Sequence, residues 1–346
     1  MLMKLPELIK RCLLRCLGAV VWCSVFAGFV WAVGAIYYFR YVPIAIGIPL
    51  AVTYTLSVAI AFFRIPQKRM WLQKVSASIV VIYIITLTQQ PSHDRSWEAD
   101  NKIMPLVEIF EDRVSISGFR NNVYRSSTDF DVSYSDLEFD VSQLKQVWFV
   151  VQRFTALEGL SHNFLTFSYD SGTTTRYFSV SVEIRRELGE QFDPVKGLYR
   201  QYELIYVIAD EQDEIGSRTV FRPEDRVYMY PVQASPIQVQ QLFRDIAERV
   251  NHLAASPEFY HSLLNNCTNN IVFHTYKLTP EPINWLDFRI VIPGYADRFA
   301  FSKQLIDTNT KSFPDLQQQC RIDEIARAAG ITTDFSTDIR KITRSE

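Results

Sequence analysis

Between Leu17 and Phe39 the chain carries no charge, and Arg15 and Arg40 bound the run. Tyr41 to Phe63 is equally uncharged and ends at Arg64. Each run exceeds the roughly 20 residues that a helix needs to cross a bilayer. In hydrocarbon a segment of this kind must satisfy its own backbone groups, which leaves the helix as its form. A third run, Val75 to Thr88, is shorter. It reaches spanning length only when Met70, Trp71 and Leu72 join it and Lys74 snorkels to the interface. Residues 1–92 are therefore expected to form an all-α membrane anchor of three transmembrane helices.

Charge supports this division and orients it. Before Gln90, nine Lys and Arg stand against the single acid Glu7, although the whole chain holds 36 basic and 38 acidic residues. Lys4, Lys10, Arg11 and Arg15 precede the first run, and Arg64, Lys68, Arg69 and Lys74 separate the second from the third. The positive-inside rule puts both groups in the cytoplasm. With three spans, everything after about residue 90 then lies outside; with two, the soluble part would be cytoplasmic. No small-residue cleavage site follows the first run, so a removed signal peptide is not expected. The later acidic part holds no basic tract, which excludes a nucleic-acid footprint.

The soluble part reads as strands first and helices later, an α+β pattern. Val107–Phe119, Gln146–Phe154, Tyr202–Ala209 and Arg226–Tyr230 have strand composition. Thr175–Arg185 alternates, with Phe178, Val180, Val182 and Ile184 on one face and Ser179, Ser181 and Glu183 on the other. Ser171-Gly172-Thr173 and Gly216-Ser217 mark turns. Ser235-Pro236 is a helix cap with proline at the first position, and Val239, Leu242, Phe243, Ile246, Val250 and Leu253 follow as one apolar stripe. A further helix is expected from Ile322 to Ala329, stopping at Gly330.

Of five cysteines, Cys12, Cys16 and Cys23 lie in or beside the first span. Cys267 and Cys320 are in the soluble part, where a disulfide between them is the plain structural reading. Cys267 follows the cap-like pair Asn265-Asn266 and precedes Thr268-Asn269-Asn270, at the expected first turn of a helix. A thiol there has its pKa lowered by free N–H groups and the helix dipole. Its structural alternative is a small buried hydrophobe. Among the five histidines, His93 and His252 read as surface residues, and His274 lies two helical turns from Cys267, about 10 Å at 1.5 Å per residue. His261, six residues before Cys267, could lie nearby through sequence alone and is the lesser alternative for the base. His162, in the strand-like run Leu160–Phe167, is the candidate base. Glu183 is the candidate third group orienting the imidazole, with Ser181 beside it; otherwise Glu183 is a strand carboxylate paired with Arg185. The backbone N–H of Cys267 and the Asn266 side chain are candidate oxyanion donors. Asp210, Glu211, Asp213 and Glu214 read as a charged turn, salt-bridged to Arg218, rather than a metal site. Neither a metal nor a cofactor is expected.

Several ordered blocks carry a family resemblance: Ser161-His162-Asn163-Phe164-Leu165-Thr166-Phe167, Ser179–Glu187 with Gly189-Glu190, Tyr202–Tyr206 with Asp210-Glu211 and Asp213, Arg218, then Pro257-Glu258-Phe259-Tyr260 with Asn265-Asn266-Cys267-Thr268. From about Arg95 to about Val272 the chain resembles the bacterial Lnb N-terminal periplasmic domain family. The resemblance implies a permuted papain-like fold over residues 93–281, in which histidine precedes cysteine, with 282–346 as an extension packed on it. It maps His162 to the base and Cys267 to the nucleophile, and implies a location at the bacterial inner membrane with the N-terminus cytoplasmic and the domain periplasmic. The implied activity is thiol-dependent acyl transfer, from a membrane lipid as donor to the amine of an acceptor such as a lipoprotein. The alternatives are a cysteine peptidase or amidase acting on cell-wall peptides, and a non-catalytic envelope binding module.

Overall fold

The computed structural model describes residues 5–154, 158–276, 283–285 and 287–341. Two compact units make up the chain: Met1–Pro91 with Val195–Gln201, and Ser92–Pro194 with Tyr202–Glu346. The first contains α1 (Leu5–Tyr37), α2 (Ile44–Arg64) and α3 (Lys68–Thr86). All three are long and apolar enough to cross a membrane. The third is the weakest, with a mean hydropathy of 1.2, and reaches length by the extension through Trp71 that the sequence requires. Trp71 is not idle there. Its ring stacks on Trp22 of α1 at 5.5 Å and its Nε1 donates to the Val58 carbonyl of α2 at 3.1 Å. Leu13, Leu14, Val20 and Phe26 stay exposed, as expected of helices whose apolar surround is lipid.

The second unit is α+β. Its strands are β1 (Leu106–Phe110), β2 (Arg113–Arg120), β3 (Val123–Tyr124), β4 (Phe130–Asp131), β5 (Tyr134–Asp140), β6 (Leu144–Arg153), β7 (Ser161–Ser171), β8 (Thr174–Arg185), β9 (Glu203–Ala209) and β10 (Arg226–Pro231). One sheet runs β1-β2-β9-β8-β7-β6-β10, with β5 also paired to β2, and β3 and β4 form a separate pair. Helical segments are a π-turn (Gln212–Gly216) leading into α4 (Ser217–Thr219), then α5 (Pro236–Ala255) and α6 (Cys267–Tyr276).

Alternation along the strands feeds two cores. In β6, Phe149 and Val151 enter one, while Trp148 and Val150 enter the other. The first is closed by the apolar stripe of α5, all of it buried, with Phe243 set edge-on to Phe178 at 5.7 Å. Ser235 caps that helix in a reciprocal box with Gln238. Full burial of such a side chain contributes about 1.5–3 kcal/mol. Ile322, Ala326, Phe335 and Ile339 close the second core, so the C-terminal stretch is part of the unit. Arg340 ties it further, stacking on Tyr177 at 3.7 Å and pairing with Glu211 at 2.5 Å. Pro282, the expected start of that stretch, lies outside the described residues.

Three sequence expectations change. Val107–Phe119 is a hairpin, not one strand: it turns at Glu111, whose φ is 55°, into β2. Gly216-Ser217 is helical rather than a turn. The polar face of Thr175–Arg185 is largely covered, because both sides of the sheet carry packed elements; Ser179 and Ser181 are wholly buried, Glu183 is half-buried, and Thr175 meets solvent. Elsewhere the helix Asp323–Ala329 ends at Gly330 with φ 65°, as its sequence requires.

Candidate active site

Cys267 is the first residue of α6, and the asparagines around it explain why the helix starts there. Asn266 Oδ1 accepts the Asn269 N–H at 2.9 Å, and Asn269 Oδ1 accepts the Asn266 N–H at 3.2 Å. This reciprocal bonding satisfies donors that a helix start leaves open. Asn266 Nδ2 donates to the Ser262 carbonyl at 2.7 Å, and Asn270 Nδ2 to the Asn266 carbonyl at 2.9 Å. The asparagine run is thus a buried scaffold, not the solvated stretch its composition suggests. The oxyanion role expected of the Asn266 side chain finds no support, since the residue is fully buried and one of its two amide hydrogens goes to Ser262.

The thiol also differs from expectation. Burial pushes the Cys267 pKa up; hydrogen bonding from Asn163, from Thr268 and from the Cys267 backbone works the other way and does not win. Cys267 and Cys320 are free thiols, so the disulfide reading fails.

β7 sends alternate side chains to opposite faces. Asn163 turns toward α6 and donates to Thr268 Oγ1 at 2.7 Å. His162 turns with Phe164, on which its ring stacks at 5.7 Å, toward β8. There Nε2 meets Ser181 Oγ at 2.7 Å, and the Ser181 hydroxyl donates to Glu183 Oε1 at 3.1 Å. Glu183 itself lies 3.7 Å from Nε2, so it orients the ring through Ser181 and not by the direct bond the sequence suggests. The chain of bonds assigns the tautomer. Glu183 only accepts, because burial alone would raise its pKa but Arg218 and Arg120 outweigh that and hold it well below the usual carboxylate range. The one Ser181 proton therefore goes to Glu183, and Ser181 Oγ accepts from Nε2–H. Nδ1 is left with the lone pair.

Behind this lies a buried ionic cluster that the sequence reading treated as a charged turn. Arg120 pairs with Asp213 at 2.9 Å and with Glu214 at 2.9 Å. Arg218 bridges Glu183 at 2.6 Å and Glu214 at 2.9 Å. The contact to Glu214 Oε1 is an ion pair without hydrogen-bond alignment. His162, Glu183 and Glu214 bring ligand-type atoms within 4.8 Å of one another. Arg218 pairs with both acids and holds Glu183 ionised, while burial pushes the Glu214 pKa up to about 7 in spite of Arg218 and Arg120. Burial first, then Arg218, depresses the His162 pKa to about 3, so the imidazole is neutral at ordinary pH.

His162, Glu183, Arg218 and Cys267 line one cleft of ≈ 340 Å³. Val182, Ile184, Phe154, Phe192 and Tyr260 make its apolar wall, and Arg120, Arg186 and Arg222 add charge. The sequence brings sulfur and imidazole to this cleft, but no hydrogen bond joins them among the described residues; the side-chain contact of Sγ is Thr268 Oγ1 at 3.9 Å. The remaining histidines are engaged elsewhere. His261 Nδ1 accepts from the Leu263 and Leu264 amides, each at 3.2 Å. His93, expected at the surface, bonds the Leu253 carbonyl at 2.9 Å and Arg185 at 3.1 Å. His274 is held by Asp245 at 2.6 Å and Tyr206 at 2.8 Å. Arg120 and Arg222 were missed from sequence, where a lone arginine gives no signal of what it faces.

Residues 131–294 match the family model described as the Lnb N-terminal periplasmic domain, a span that contains His162, Ser181, Glu183, Arg218 and Cys267. No curated protein and no solved structure matches the chain.

Proposed function

Since residues 131–294 belong to the Lnb N-terminal periplasmic domain family, we propose that the protein is a membrane-anchored acyltransferase working through Cys267. The observation that carries this is the cleft itself: a free thiol at a helix start, and a neutral histidine whose Nε2 is fixed by Ser181 and whose Nδ1 keeps its lone pair. The order, histidine strand before cysteine helix, is that of a permuted papain-like domain. With a raised thiol pKa and a lowered imidazole pKa, the resting pair is thiol and imidazole, not thiolate and imidazolium. His162 then acts as general base during attack. The thiol proton passes to Nδ1 as sulfur bonds the carbonyl carbon of a lipid ester. The C–O bond breaks, and the lipid alcohol leaves with that proton. An amine next attacks the thioester, a C–N bond forms, the C–S bond breaks, and the thiol is restored. The Cys267 backbone N–H is the oxyanion donor of this scheme. Sγ and the imidazole are not hydrogen-bonded in the structure, so this scheme requires them to approach each other when substrate binds.

Three apolar helices tether the domain to the bilayer in which a lipid donor resides. By the distribution of Lys and Arg, the N-terminus is cytoplasmic and the domain periplasmic, with a lipoprotein amine as acceptor. The charged half of the cleft favours a second reading, a cysteine peptidase or amidase on cell-wall peptides. Incubating the full chain with phospholipid and an amine acceptor, then analysing it by mass spectrometry, tests the first. An acyl adduct on Cys267 that chases into the amine supports transfer. Peptide cleavage without any lipid-derived adduct selects the hydrolase, and neither product leaves a binding module.

A further inference from the structure

One arginine of the cleft has no hydrogen-bond or ion-pair partner among the described residues; Asp225 and Glu183 act on it only at a distance. Arg120 is committed to Asp213 and Glu214, Arg218 to Glu183 and Glu214, and Arg186 to Asp100 at 2.5 Å. Arg222 lines the same cleft, yet its guanidinium makes no hydrogen bond or ion pair with a described residue. Of the two acids that follow it, Glu224 is exposed and Asp225 accepts the Gln152 amide at 2.5 Å. Arg222 is nonetheless half-buried, and burial together with Arg218 depresses its pKa. A guanidinium in that setting is stabilised by an oxyanion that offers it paired acceptors. Phe154, Phe192 and Tyr260 line the same cleft, so a ligand anionic at one end and apolar at the other suits its lining.

We propose that Arg222 anchors the phosphodiester of a glycerophospholipid, setting the adjoining acyl ester against Cys267. This rests on the acyl-transfer reading and names its donor class. The cleft volume of ≈ 340 Å³ is at the small end for a ligand site, room for a headgroup and ester but not for whole acyl chains. Arg222 is a binding and positioning residue; it touches no group that gains or loses a proton in the reaction.

The test measures binding, not turnover. The full chain in a phosphorus-free detergent is titrated with sn-glycero-3-phosphoethanolamine and followed by phosphorus NMR, for wild type, Arg222→Gln, Arg222→Lys and Cys267→Ala. Wild type and Cys267→Ala should bind alike. Arg222→Gln should weaken binding about tenfold or more, the scale of a lost charge-assisted hydrogen bond, and Arg222→Lys by less. Equal affinity in wild type and Arg222→Gln overturns the assignment, as does no binding to wild type. Inorganic phosphate bound in preference to the diester would make this a free-phosphate site and also overturn it. So would N-acetylalanine displacing the diester at lower concentration, which would make it a peptide-carboxylate site. Diester binding without acyl transfer would sink the reaction and spare Arg222; acyl transfer undiminished in Arg222→Gln would do the opposite.

Discussion

His162, half-buried, and His274, buried, are both held by a hydroxyl and backed by a carboxylate, yet only one has a free hand. His274 bonds Asp245 through Nδ1 at 2.6 Å and Tyr206 through Nε2 at 2.8 Å, and almost none of its surface meets solvent. His162 spends Nε2 on Ser181 and borders a cleft. An imidazole with both nitrogens engaged is a strut, since moving a proton through it breaks a bond the fold depends on. An imidazole with one nitrogen fixed is oriented and still able to accept a proton. Carboxylate neighbours do not separate the two; the unspent nitrogen and the cleft do.

The comparison breaks most sharply at the nucleophile and its base. Cys267→Ala should abolish acyl transfer, and His162→Gln should lower it by about 10²–10⁴, both in protein that folds and inserts normally. His274→Leu should leave the rate per folded molecule within about twofold and instead cost on the order of 1–3 kcal/mol of stability, because the Asp245 carboxylate and the buried Tyr206 hydroxyl each lose one hydrogen bond. Rates per folded molecule, with the folded fraction taken from urea unfolding, separate the cases. A silent His162→Gln beside an inactive but stable His274→Leu would invert the assignment.

Sequence pattern made much of this molecule legible, where one residue's environment follows from its near neighbours. The uncharged runs gave the anchor, the stripe from Val239 to Leu253 gave α5, and Asn266 marked the start of α6. What stayed hidden depends on layers that meet only in three dimensions. Ser181 and Glu183 alternate as a polar strand face should, but that face is covered, so their hydroxyl and carboxylate form a relay behind His162. Asp213 and Glu214 look like a solvated turn because their partner Arg120 lies about ninety residues upstream. The direction of the Cys267 pKa was read from its helix dipole alone, and the burial that overrides the dipole is a property of the packed core.

Ser181 sharpens the comparison at a smaller scale. Removing its hydroxyl leaves Nε2–H without an acceptor and lets the ring rotate or take the other tautomer. Ser181→Ala should then lower the rate by about 10–100-fold, the usual range for a group that orients a histidine from behind. Ser181→Thr keeps a hydroxyl and should recover part of the loss. If both variants match wild type, the relay does not set the tautomer.

The smallest effect is also the most specific to His162. Its folded pKa of about 3 lies far below the roughly 6.5 of an unfolded histidine, so between those values the unfolded chain binds a proton that the native one refuses. The stability this represents is fully present above pH 6.5 and is lost as the pH falls toward 3, at up to about 1.4 kcal/mol per pH unit. Glu183 acts in the same sense only lower, below its ordinary value of 4.5; Glu214, pushed up to about 7 by burial, acts in the opposite sense, and because wild type and His162→Phe both carry it, the difference between them reads His162. Wild type should therefore lose about 1 kcal/mol more than His162→Phe between pH 7 and 5.5, measured by urea unfolding of the full chain. Parallel pH profiles would mean that the folded protein protonates this imidazole as freely as water does. A base already charged at pH 5.5 cannot take a proton from Cys267, so the same curve tests both the burial of the ring and its readiness to act.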